Sequence, residues 1–266
     1  MPLSDLEIID QWLYGRSLAT QDYYRRYALQ FLENAGKGLK AANLSDLQRF
    51  ASDLQQRGLA ASSQRTAIAA VKSLLSFACK AGHLQSNAAQ LLHPPKVRET
   101  LSERILGEAE VAAAIRLELD EQARLVLKML YFSGFRSSEL CGLRWKDLRP
   151  SGDAGTATVF GKGGKTRSVL LPNAFWLELQ AARQSDESPF FAGTRFDLYK
   201  LVKRAFERAG CKASPHYLRH AHASHSLDHN APIHLVQQTL GHASIATTGR
   251  YLHAKPSDSS SRYLNL

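Results

Sequence analysis

A pair of adjacent prolines sets the plan of this chain. Pro94 and Pro95 lie in the run His93-Pro94-Pro95-Lys96-Val97-Arg98-Glu99. No helix crosses such a pair, because each proline lacks a backbone donor and disfavours helical geometry in the residue before it. Both flanks read as helical, so two helical bodies joined by an extended linker are expected. The expected boundaries are 1–93 for the first domain, 94–104 for the linker and 105–266 for the second, with a tail over 255–266. A chain of 266 residues has room for two domains. Apolar residues make up 44% of it and charged residues 22%, so each half can bury a core and a disordered chain is excluded.

Charge narrows the partner. Lys and Arg number 34 against 24 Asp and Glu, a net +10. An excess of that size points to a polyanion, either nucleic acid or an acidic membrane surface. Residues 1–97 hold 11 Lys and Arg against 7 Asp and Glu, and the remainder holds 23 against 17. The excess is spread over both halves, as suits a protein that grips a long polyanion with two surfaces. No run of 18 apolar residues exists to span a bilayer. The start, Met1-Pro2-Leu3-Ser4-Asp5, lacks the basic and apolar regions of a secretory signal. Cys79, Cys141 and Cys211 are odd in number and widely spaced. They read as reduced, buried thiols of a cytoplasmic protein.

Four helices are expected in the first part. Ser4 and Glu7 have capping-box spacing ahead of Leu6, Ile9 and Leu13. A second helix follows Thr20 and stops near Gly36. A third starts at Ser45 and ends before Gly58. The fourth runs from about Ser62 to Ala81, with Ile68, Val71, Leu75 and Ala78 on one face. The second part is also mainly helical, with one clear exception over Thr156–Leu171. There two β-rich runs flank Gly161-Lys162-Gly163-Gly164-Lys165, a hairpin with a glycine-rich, lysine-bearing turn. Gly164-Lys165-Thr166 is not a phosphate-binding P-loop. The required earlier glycine is Val159, and a strand follows instead of a helix.

Several segments carry chemistry-bearing residues. In Ser133-Gly134-Phe135-Arg136-Ser137-Ser138-Glu139-Leu140, Arg136 opens a short helix. A guanidinium at a helix start is placed to hold a phosphate, and a plain ion pair with Glu139 is the alternative. Eight of the ten histidines lie between His216 and His253. His216 and His220 have the i, i+4 spacing of zinc ligands. The run lacks the glutamate of a zinc hydrolase helix and has no nearby Asp or Cys partner, so no metal site is expected. His216 and Arg219 share a helical face instead, a proton-transfer group beside a fixed cation. His220, His222 and His225 then read as packing or surface residues. Gly241 stops one helix, Ser244 caps the next, and Tyr251 follows on it.

Taken in order, these segments resemble the tyrosine recombinase (phage integrase) family, and its compact Xer-like members most. Arg136 in G-x-R-x-S-E-L, Lys162 in G-K-G-G-K, H-x-L-R-H at 216–220, L-G-H at 240–242 and T-T-x-x-Y at 247–251 carry the resemblance. The intervals of 26 residues from His216 to His242 and nine from His242 to Tyr251 are also similar to the family's. The implied fold is mainly α: a two-domain DNA clamp of a helical core-binding domain and a mostly helical catalytic domain with a small β-hairpin.

The resemblance implies a site-specific recombinase that cuts and rejoins duplex DNA through a 3′-phosphotyrosine. Tyr251 is then the nucleophile and His216 accepts its proton. Arg136, Arg219 and His242 hold the charge on the phosphate, and Lys162 protonates the leaving 5′-oxygen. No metal or other cofactor is implied. The partners implied are double-stranded DNA and a homo-tetramer, or a hetero-tetramer with a second recombinase, in the cytoplasm at the nucleoid. Arg65 and Lys72, seven apart on the fourth helix, are candidates for touching DNA, and Arg25 and Arg26 are weaker ones. A catalytically silent DNA-bridging protein of the same fold and a DNA-relaxing type IB-like topoisomerase are the competing readings. Tyr263, Leu264 and Leu266 in the tail form a small apolar patch, and the resemblance implies that it docks on a neighbouring protomer.

Overall fold

Ser4 and Glu7 each satisfy the other's backbone N–H, at 2.7 and 3.3 Å, and this reciprocal cap opens α1 (Asp5–Leu13). The computed structural model describes residues 3–96, 105–160, 166–249 and 251. It divides into two compact units, Met1–Glu99 and Thr100–Leu266. Most of the linker, the hairpin turn at 161–165, Arg250 and the tail lie outside the described residues.

The first unit continues with α2 (Leu18–Ala35), α3 (Leu44–Gln56) and α4 (Ala61–Lys80). Ser17, not Thr20, stands at the start of α2, with the two hydroxyls 2.8 Å apart. Asn43 caps α3 through a second reciprocal box with Asp46, which starts that helix a residue earlier than expected. The core gathers Ile8, Ile9, Trp12, Phe31, Leu47, Phe50 and Leu54 against Ile68, Val71, Leu74 and Leu75 of α4. Trp12 Nε1 donates to Ser73 Oγ at 3.2 Å and ties α1 to α4. Cys79, Cys141 and Cys211 are free and half-buried, where the sequence suggested buried thiols.

The second unit opens with α5 (Glu108–Leu117), α6 (Glu121–Ser133) and the short α7 (Ser137–Gly142). A three-stranded antiparallel sheet follows in the order β1 (Leu148–Ser151), β2 (Ala154–Phe160), β3 (Thr166–Leu171). Gly155 faces Leu171 and Phe160 faces Thr166, so the two β-rich runs pair as the expected antiparallel hairpin. The edge strand β1 was not expected, because Leu148-Arg149-Pro150-Ser151 shows no alternation and contains a proline. Proline is tolerated at a sheet edge, where its missing donor costs no ladder bond. After the sheet come α8 (Asn173–Ala181), α9 (Arg195–Arg208), α10 (Pro215–Asp228), α11 (Ile233–Leu240) and α12 (Ile245–Gly249).

Helix α10 is the axis of this unit and packs on α5, α6, α9 and α11. Its buried positions run almost around its circumference, from Leu218 and Arg219 to Ser224 and His225. A helix enclosed on so many sides carries its polar side chains into the interior, where each needs a partner. His220, His222 and His225 therefore spend ring nitrogens on neighbouring elements, and that positions the site.

Candidate active site

Two helices end in left-handed glycines that point their last carbonyls at the same place. Gly134 caps α6 at φ 61° and Gly241 caps α11 at φ 64°. Gly134 also has no room for a side chain, since a Cβ there would lie 2.6 Å from Leu240 Cδ2 and 2.9 Å from His222 Cδ2. Arg219 projects from α10 between these two ends. Its Nη1 donates to the Gly134 carbonyl at 2.6 Å and its Nη2 to the Leu240 carbonyl at 2.7 Å. Arg136, just before α7, donates from Nη2 to the Gly241 carbonyl at 3.2 Å. Helix C-termini carry partial negative charge, so both guanidinium groups are seated where a cation is favoured. A guanidinium has five N–H donors, and Arg219 commits its two terminal nitrogens through only one hydrogen each to these carbonyls.

Arg219 is 3% exposed, and burial followed by repulsion from Arg136 pulls its pKa down to about 10. It is still charged at neutral pH. Arg136 keeps 41% of its side chain exposed. Arg136, His216 and Arg219 line one cleft of about 850 Å³, together with Arg195, Tyr199 and Ser138.

A buried carboxylate organises the arginines. Glu139 Oε1 lies 2.9 Å from Arg136 Nη1, so the ion pair foreseen as an alternative to phosphate binding is present beside the cleft. The same carboxylate takes a two-pronged bond from Arg167 on β3, at 2.7 and 2.8 Å. Burial alone would raise the Glu139 pKa, but the bonds from Arg167 and from the Arg136 backbone outweigh it and hold it at about 2. Arg167 also donates from Nε to the Thr239 carbonyl at 2.8 Å, which links the β-sheet to the end of α11. Arg167 was missed in the sequence. Its signal was there: it shares the inward face of β3 with Val169 and Leu171, and a cation on an apolar strand face demands a buried partner.

His242 follows Gly241 and is half-buried. Burial, then the fields of Arg219 and Arg136, lower its pKa to about 4, so it is neutral at neutral pH. Its Nδ1 lies 2.9 Å from Thr248 Oγ1 on α12. If that hydroxyl donates, the ring's other nitrogen carries the proton and is a donor. Tyr251 comes next after α12 and is 6% exposed, against Ala223, Val236 and Leu240. Its hydroxyl lies 2.6 Å from Nδ1 of His220. This corrects the reading of His220 as a packing residue. The ring of His216 lies 4.1 Å from that of His220, edge to face. His222 and His225 do serve packing: their Nδ1 atoms meet the Tyr131 carbonyl at 2.8 Å and the Tyr131 hydroxyl at 2.9 Å.

Arg136, His216, Arg219, His242 and Tyr251 are thus gathered in one unit, while Lys162 lies outside the described residues. Arg65 and Lys72 belong to the other unit. Arg65 is exposed on α4, whereas Lys72 is half-buried and donates to the Leu92 carbonyl at 2.6 Å, an internal use that the seven-residue spacing did not reveal. Arg25 pairs with Asp10 at 2.6 Å, and Arg26 lies over the rings of Tyr23 and Tyr27. Among the described residues no three His, Cys, Asp or Glu side chains gather as a metal-binding group, and no helix is long and apolar enough to cross a membrane.

The phage integrase family model matches residues 102–258, more than half of the chain. The chain belongs to the phage integrase family. A model of the phage integrase N-terminal SAM-like domain matches residues 14–82 as well. The tyrosine recombinase XerC of Xylella fastidiosa (strain M23) is 33% identical over 262 residues, covering 90% of this chain and 87% of that protein. The tyrosine recombinase XerA of Pyrococcus furiosus is 31% identical over 254 residues, covering 90% and 85%. Among solved structures, XerH bound to difH substrate in a pre-cleavage complex superposes with a TM-score of 0.70 at 24% identity, over 95% of this chain and 82% of that one. A lambda integrase dimer bound to a COC′ core site gives 0.75 at 15% identity, over 97% and 98%. The integrase fold is shared across these proteins, and the mainly α architecture with its small sheet agrees with the expectation. As a tyrosine recombinase of this family, the chain is a site-specific DNA recombinase whose reaction is strand transesterification.

Proposed function

We propose that this recombinase cuts duplex DNA with Tyr251 as nucleophile, leaving a 3′-phosphotyrosine and a free 5′-hydroxyl, and that four protomers act on two sites. The observation that carries the reading is the seating of Arg136 and Arg219 on the glycine-capped ends of α6 and α11, with His242 and Tyr251 on the segment that follows. Donors fixed by backbone carbonyls need no reorganisation when charge develops on a phosphate, and such preorganisation is the largest contribution in many active sites. Arg136 and Arg219 take the non-bridging oxygens, His242 donates a further hydrogen bond, and His216, which lines the cleft beside them, accepts the phenolic proton. Lys162 protonates the leaving oxygen. The phosphotyrosine conserves the ester, so rejoining needs no nucleotide, and the set of cations needs no metal ion or other cofactor.

The helical unit 1–93 also grips the duplex, with the exposed Arg65 as one phosphate contact. Lys72, tied to Leu92, contributes less. The protein works in the cytoplasm on the nucleoid, alone as a homo-tetramer or with a second recombinase.

Incubating the protein with a duplex nicked near the cleavage point traps the covalent adduct. Wild type should form it and Tyr251→Phe should not, while both bind the duplex equally. An adduct with the Phe variant at wild-type level overturns the assignment. Absence of any wild-type adduct favours a silent bridging protein. Adducts without strand exchange between two duplexes favour a topoisomerase. Adduct formation in the presence of EDTA should be unchanged.

A further inference from the structure

We infer that Arg167 is a positioning residue for the reaction: by satisfying Glu139 it leaves the charge of Arg136 to the phosphate, without itself lining the cleft. The inference deepens the proposed function and rests on Arg136 holding the scissile phosphate.

The observation is one carboxylate with two claimants. The Glu139 side chain is 4% exposed and lies 2.9 Å from Nη1 of Arg136, a residue of the cleft. A buried carboxylate demands a positive partner. With Arg136 as its only cation, Glu139 would compete with the phosphate for that guanidinium and cancel its charge. Arg167 removes the competition. Its two terminal nitrogens take both carboxylate oxygens, at 2.7 and 2.8 Å, in the paired geometry that a guanidinium matches. Two guanidinium groups on one carboxylate leave one positive charge, and the half-exposed member that carries it toward solvent is Arg136.

Arg167 is held so that it can do this and little else. Its side chain is 13% exposed, its Nε donates to the Thr239 carbonyl at 2.8 Å, and its guanidinium lies 5.5 Å from the ring centre of the buried Phe135. All three nitrogens are committed. Arg167 lines a separate hollow with Phe132, Leu235 and Gln238. Gly241 makes room for it, since a Cβ there would come within 3.3 Å of its Cδ and Nη1. The field of Arg167 still reaches the site. Burial is the first cause that lowers the pKa of Arg219 and of His242, and the positive charge of Arg167 adds to it in both.

The test uses the full chain, saturating nicked duplex and single-turnover adduct formation, with folding checked by circular dichroism. Arg167→Gln should bind duplex as wild type does, since one charge among many matters little to affinity. It should form the adduct about 10–10²-fold more slowly, a smaller loss than the roughly 10²–10³-fold of a donor that touches the reacting group. Arg167→Lys keeps the charge and should be faster than Arg167→Gln. Adding Glu139→Gln to Arg167→Gln removes the claimant, while the new amide oxygen still accepts from Arg136. The double variant should therefore be faster than Arg167→Gln alone. A neutral methylphosphonate at the scissile position has no charge for Arg136 to meet, so the deficit of Arg167→Gln should shrink on that substrate. A distorted site would be equally slow on both. The inference is overturned by a double variant no faster than the single one, or by equal deficits on the two substrates. Where Arg167→Gln does not fold, a folded Arg167→Lys that loses about 10²-fold or more overturns it, and a smaller loss supports it. If Arg136→Ala forms the adduct at the wild-type rate, the proposed function fails and takes this inference with it.

Discussion

Glu139 is a single carboxylate on which two guanidinium groups converge. Replacing it with Gln keeps the shape and removes both ion pairs. The Arg167 arm is buried, and breaking such a pair leaves a charge without compensation, which costs about 3–5 kcal/mol. The Arg136 arm is half exposed and adds less. Glu139→Gln should therefore lower stability by a few kcal/mol at pH 7 in urea titrations, and slow adduct formation as Arg136 loses its anchor. The pH dependence has a definite sign. The folded pKa of about 2 lies below the ordinary 4.5, so the carboxylate stabilises the fold above pH 4.5 and this is lost as pH falls toward 2. The gap between wild type and variant should close over that window. At this scale the sequence was informative where a residue's role depends on its own neighbours. Arg136 and Glu139 are three apart, as are His216 and Arg219. It was silent where the partner is distant. Nothing within α10 shows that His220 meets a hydroxyl 31 residues on. Arg167 was visible only through strand alternation.

Helix boundaries in the first unit were legible because caps and glycine stops are local chemistry. The hairpin was legible because its turn residues and β-branched flanks agree, whereas the edge strand β1 has neither signal. The hairpin turn bears Lys162, and Lys162→Ala should slow cleavage by about 10²–10⁴-fold while binding barely changes, since one phosphate contact among many matters little to affinity. A 5′-thiolate substrate should restore much of the rate, and failure to do so would leave Lys162 an electrostatic group only. The α10 and α11 ends make a second prediction. Burial lowers the pKa of His222 and of His242 to about 4, against 6.5 for free imidazole. The unfolded chain thus binds more protons between those values, and stability should fall as pH drops from about 6.5 to 4. His222→Gln, which can still donate to the Tyr131 carbonyl, should flatten this slope in thermal melts, and an unchanged slope would remove His222 from the account.

The whole molecule is basic in both of its units, so affinity for duplex DNA should fall steeply with salt. Tyr263, Leu264 and Leu266 add an apolar patch at residues 263–266. Deleting 257–266 should leave a protein that binds a half-site normally but loses cooperative binding to a full site, and recombination with it. Gel-shift titrations on the two lengths of DNA measure this, and unchanged cooperativity would refute it, while insolubility would show that the patch covers its own domain. The two-body plan followed from Pro94 and Pro95, but the meeting of α6, α10 and α11 around the arginines is a packing result that no local pattern carries. That meeting fixes an electrical match. Arg136 and Arg167 share one carboxylate, Arg219 is held by two helix-end carbonyls, and His242 is neutral, so these groups together are net positive. An intact phosphodiester carries one negative charge, and it gains a second as a phenolate adds to phosphorus. The fixed cations of the cleft therefore meet more negative charge in the pentacoordinate species at the top of the barrier than in DNA at rest, which is how a site favours passage over mere occupancy.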